Sequence, residues 1–138
     1  MKTRILPLAV VAALLATTGV ASAETRKFSG KLQGSPGGKV TFTFTFKRDK
    51  DKKVIRKSKK VSKVRVTGLR SECGTTVSHR YKGRYGFQGP VFLGNSFTDE
   101  GSWNASASIN RKATKATGSV GFLKPGCNAN ARFTAKAK

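Results

Sequence analysis

The chain has 138 residues, with 28 Lys or Arg against six Asp or Glu, a formal charge of +22. This length supports one domain with a modest core, since domains most often run to about 100–150 residues. Six carboxylates and one histidine leave little material for acid–base catalysis or a metal centre, and the cationic excess directs attention to anionic partners.

Met1 to Ala23 reads MKTRILPLAVVAALLATTGVASA. Lys2 and Arg4 precede an apolar run, and Ala21-Ser22-Ala23 supplies the small residues that a signal peptidase accommodates. The run weakens at Thr17, Thr18 and Gly19, short of the roughly 20 apolar residues that a membrane-spanning helix needs. We therefore expect a signal peptide over 1–23 and a secreted basic domain over 24–138, with association at the cell surface. Without Lys2 and Arg4, 26 basic residues remain against six acidic ones, a formal +20.

After the turn chemistry of Gly34-Ser35-Pro36-Gly37-Gly38, Lys39 to Arg48 alternates strictly. Val40, Phe42, Phe44 and Phe46 fall on one face and Thr41, Thr43 and Thr45 on the other, the period-2 signature of a half-buried strand. From Lys47 to Arg65 the chain carries eleven basic residues against Asp49 and Asp51. Flanked by strands, this segment reads as a hairpin with a cationic tip and outer face. Lys47, Arg48, Lys50, Lys52, Lys53, Arg56, Lys57, Lys59 and Lys60 are its candidate polyanion-binding residues. The plainer alternative is a solvated loop that keeps the protein soluble. A charge of about 2–8 suffices for that in a small domain, far below the charge here.

The strand parity returns at Val64 and Val66, with Lys63, Arg65 and Thr67 facing away. Arg80-Tyr81-Lys82-Gly83-Arg84-Tyr85-Gly86-Phe87 interleaves basic and aromatic residues, as surfaces that stack bases or sugars do. Arg80, Tyr81, Lys82, Arg84 and Tyr85 form a secondary candidate surface; the alternative is a strand with its aromatics packed inward. Gly89-Pro90 and Asp99-Glu100-Gly101 read as turns. Trp103, Ala105, Ala107 and Ile109 make the next alternating face, with Asn104 of a formal glycosylation triplet pointing outward. Beyond the turn at Asn110-Arg111-Lys112 come Ala116, Gly118, Val120 and Phe122. Beyond Pro125-Gly126 come Cys127, Ala129, Ala131, Phe133 and Ala135. The small residues leave room for the bulky aromatics opposite.

About seven to nine short strands with turns at this rate predict an all-β, antiparallel β-sandwich or compact barrel, nearly free of helix. Cys73 and Cys127 are the only cysteines, and in an exported chain two cysteines allow one bridge; two buried free thiols are the alternative. The immunoglobulin pattern fails. Trp103 lies 30 residues beyond Cys73, and Pro125 occupies the place of the expected Tyr.

An export signal, a Phe/Thr strand, a mid-chain cysteine, the Lys115-Ala116-Thr117-Gly118 hairpin and a closing strand ending Phe133-Thr134-Ala135 together resemble a loose group of small secreted actinobacterial proteins of unknown function. In many relatives of that group the final strand carries Trp where this chain has Phe133. The resemblance implies a β-sandwich with a cystine and implies no activity.

A nucleophile–base pair would have to use His79 with an unplaced Ser or Thr. No phosphate-binding glycine motif or metal-ligand spacing is present, so neither metal nor cofactor is expected and the chain reads as non-enzymatic. The leading expectation is a monomeric cationic module that binds wall polymers, an anionic lipid surface or extracellular nucleic acid, with no small-molecule substrate. An inhibitor or toxin-like effector, using an exposed loop over Arg80 to Phe92 on a protein partner, is the alternative.

Overall fold

The computed structural model describes residues 23–138, so the expected signal peptide, apart from Ala23, lies outside the described residues. Nine strands follow one another: β1 (Ala23–Leu32), β2 (Lys39–Lys47), β3 (Lys60–Arg70), β4 (Thr76–Arg80), β5 (Arg84–Gln88), β6 (Val91–Thr98), β7 (Gly101–Ile109), β8 (Lys115–Leu123) and β9 (Ala129–Ala137). Among the described residues the only helical element is one 3-10 turn, Arg56–Ser58. Among the described residues no helix is long and apolar enough to cross a membrane.

All pairings are antiparallel, in the order β2-β1-β9-β8-β7-β6-β5-β3-β4, and an additional β2–β3 pairing closes the sheet on itself. Eight strands thus form a closed barrel, with β4 as the ninth alongside β3. Closure decides between the two predicted architectures in favour of the barrel, and it removes most of the free edge that an open sheet would expose.

The predicted alternation sets the inner face. Val40, Phe42, Phe44, Phe46, Trp103, Ala105, Ala107, Ala116, Val120, Phe122, Ala129, Ala131, Phe133 and Ala135 are all buried. Phe28 stacks on Phe42 at 5.0 Å, and Phe42 meets Phe92 and Phe133 edge-on, so a run of rings fills the lumen. The small residues opposite give those rings space. A Cβ at Gly118 would run into the Ser106 carbonyl and the Ala107 side chain, so only glycine permits this approach of β8 to β7. Thr and cationic side chains face outward, the reverse of a membrane-spanning barrel.

Strand β3 departs from simple parity. Val61, Val64, Val66 and Leu69 are all buried, at spacings that no uninterrupted strand allows. Lys63 (φ 53°) and Gly68 (φ 69°) take left-handed backbone near two register shifts, against β2 and against β4. Each irregularity bends the strand and resets which side chains point inward.

Cys73 and Cys127 form the expected disulfide, with Cα atoms 5.0 Å apart. Cys127 precedes β9 instead of opening it. The bridge ties the β3–β4 turn to the β8–β9 turn, beside the Ser71–Ala129 bridge and a hydrogen bond from Glu72 N–H to the Asn128 carbonyl. A cystine suits an oxidising compartment.

Candidate cationic site at the barrel mouth

The connections divide between two ends. The β1–β2, β3–β4, β6–β7 and β8–β9 turns lie at the disulfide end. The long β2–β3 arm (48–59), the β5–β6 turn and the β7–β8 turn gather at the other, which we call the mouth.

The arm is built by its own polar residues. Asp49 Oδ1 accepts hydrogen bonds from Asp51 N–H and Lys53 N–H at 2.9 and 3.0 Å, while Asp49 and Lys53 pair through the backbone. Lys52 sits in left-handed backbone (φ 64°) and closes the tight turn. Arg48 pairs with Val54 across the arm, and its guanidinium donates to the Lys52 carbonyl and to Glu24. Ser58 accepts a hydrogen bond from Lys47 N–H at 2.9 Å and anchors the 3-10 turn. Neither arm carboxylate pairs with an arm cation; Asp49 shapes the turn, and Arg48 is neutralised from outside the arm by Glu24. Among the described residues the only ion pairs are those of Glu24 with Arg26 and Arg48.

Opposite the arm, Asn110 fixes the β7–β8 turn. Its Oδ1 accepts from Thr114 N–H and Lys115 N–H, and its Nδ2 donates to Thr114 Oγ1. This turn carries Arg111 towards the arm. Between them lies a basin of about 710 Å3 lined by Phe44, Arg48, Lys52, Lys53, Val54, Arg56, Lys59, Pro90, Ile109, Asn110, Arg111 and Ala113. Six of those residues are cationic and none is acidic.

Five of the nine expected polyanion-binding residues, Arg48, Lys52, Lys53, Arg56 and Lys59, share this basin. Lys47, Lys50, Lys57 and Lys60 do not line it. Lys60 belongs to β3, with its ammonium over Gly86. Arg111 was not among the expected residues. Its turn was legible, but nothing local signals that the turn faces an arm more than fifty residues earlier.

The secondary surface does not hold together as a stacking platform. Arg80, Lys82 and Arg84 are exposed, but Tyr81 is only 4% exposed and Tyr85 is partly packed against Gly94. The Tyr81 hydroxyl donates to the Asn104 carbonyl at 2.7 Å, and burial, then the neighbouring Tyr85, pushes its pKa up. The interleaving is strand parity, with aromatics in and cations out. Residues 80–92 form strand and turn instead of an exposed loop.

This region also contains the barrel's seam. β4 and β5 follow one another along the same edge of β3, but only Phe87 and Gln88 pair with β6. The remaining gap is crossed by side chains: His79 Nε2 lies 2.7 Å from Ser96 Oγ, and the His79 ring stacks on Trp103 at 5.0 Å. Asp99 and Glu100 line the same 460 Å3 cleft, yet among the described residues no carboxylate hydrogen-bonds His79.

The described residues contain no group of three or more His, Cys, Asp or Glu residues that could hold a metal ion. Comparison of the chain with protein-family models and with curated proteins gives no match to either.

Proposed function

We propose that this is a secreted, non-enzymatic binding module that holds anionic cell-envelope or extracellular polymers at the barrel mouth. The carrying observation is the convergence of six cationic side chains, from the arm and from the β7–β8 turn, on one basin that no carboxylate lines; Arg48 is paired with Glu24, and the other five have no ion pair among the described residues. Assembling so many like charges costs self-repulsion, which an anionic partner relieves. Lysine predominates over arginine along the arm, but the basin holds three of each, so point-charge attraction is joined there by guanidinium groups able to fork onto phosphate oxygens.

The test measures binding to a DNA duplex or a wall polymer across a salt series. Neutralising about five phosphates gives a log–log slope near −4.5 on duplex DNA. Arg111→Glu and Arg56→Glu each weaken binding, although the two residues lie on different elements. Affinity unchanged between low and high salt overturns the proposal.

A second reading, a protein-interaction domain, is favoured by one observation. Phe97 and Leu93, 80% and 49% exposed, stand on β6 beside the incompletely paired seam. A partner held there by shape survives a high-salt pull-down, and a polyanion does not.

A further inference from the structure

We propose that the mouth basin seats one anionic lipid: its phosphate lies among the rim cations and the first methylenes of its chain lie on an apolar floor. This rests on the cationic reading above and narrows its ligand class.

The lining divides by chemistry. Its charges come from the arm and from Arg111, whereas Val54, Ile109 and Pro90 supply apolar surface over the buried Phe44 and Ala113. Phe44 and Ala113 belong to the buried core, and Val54 and Ile109 are partly buried against it. A polyelectrolyte held by charge alone requires no such floor.

The floor also discriminates among anions. Single-stranded nucleic acids rest bases on open aromatic faces. Phe44 is the floor's only aromatic, and its ring is enclosed by Phe28, Phe46 and Phe87 with centroids at 6.5, 4.9 and 5.6 Å. What remains open is aliphatic, which suits methylene groups better than a base. The volume of about 710 Å3 lies within the usual range for small-ligand sites, roughly 300–1,000 Å3. Both walls are held by internal hydrogen bonds, from Asp49 on one side and Asn110 on the other, so little ordering accompanies binding.

The experiment is calorimetric titration of the protein with n-alkyl phosphates of increasing length, all below their micellar concentrations. Inorganic phosphate, polyphosphate and octanol are run in parallel. Octyl phosphate is expected to bind far more tightly than inorganic phosphate or octanol, with affinity rising roughly fourfold per methylene over the first carbons. Ile109→Asn flattens that dependence and leaves polyphosphate binding intact; Ile109→Ala, a milder change, flattens it in part. Arg111→Glu weakens every anion.

Affinity independent of chain length, or equal for octanol and octyl phosphate, overturns the lipid site. If polyphosphate still binds with steep salt dependence, the polyanion reading stands without it. If polyphosphate also fails to bind, both fall.

Discussion

His79 shows how one side chain couples the seam to solution conditions. Burial, and secondly the charge of Lys82, hold its pKa below the ordinary 6.5. The native protein thus keeps the ring neutral where the unfolded chain takes up a proton. Above pH 6.5 the shift has no effect on stability; as pH falls from there through the lowered native value, stability is lost. Thermal midpoints measured between about pH 7.5 and 5 should fall for the native sequence. His79→Gln, which keeps a partner for Ser96 but does not titrate, should fall less. At the arm, Lys52 occupies left-handed backbone (φ 64°) where glycine is the natural occupant. Lys52→Gly should stabilise the fold by about 1 kcal/mol in denaturant titration while weakening polyanion binding. That opposition separates what the residue does for stability from what it does at the mouth.

Among the elements, β8 is the strand most tightly constrained by size. Gly118 faces the backbone of β7 at contact distance, so Gly118→Val forces the two strands apart. Its cost should be about 3 kcal/mol, read from the shift of the urea midpoint at constant slope. The cystine constrains two turns separated by 54 residues. Replacing both cysteines by serine should lower stability by about 4 kcal/mol on the chain-entropy account. The arm's backbone is held by Asp49 and Ser58, so the segment that carries the cations has a defined path even though its composition resembles a solvated loop.

For the whole molecule, stability and binding should respond to salt in opposite directions. With 26 cations against six anions over residues 24–138, screening relieves self-repulsion, so the thermal midpoint should rise with ionic strength. Polyanion affinity should fall over the same range. A midpoint that falls with salt would mean that the few ion pairs of Glu24 outweigh the general repulsion. The barrel makes this charge tolerable: its aromatic lumen lies inside one closed sheet, and the cations occupy the outer face and the mouth.

The amino-acid sequence by itself determined the strand faces, the all-β class, the disulfide partners and the cationic arm. Side-chain alternation is local, two cysteines allow one pairing, and charge is a property of composition. Only the tertiary structure decided the rest. Barrel closure depends on β2 meeting β3, Val61 and Leu69 turn inward because backbone irregularities reset the parity of β3, and Tyr81 is buried by β7 across the seam. Arg111 joins the arm and Ser96 meets His79 through contacts between distant segments. Such contacts follow from how strands wind around a shared core, and no local pattern of residue types encodes them.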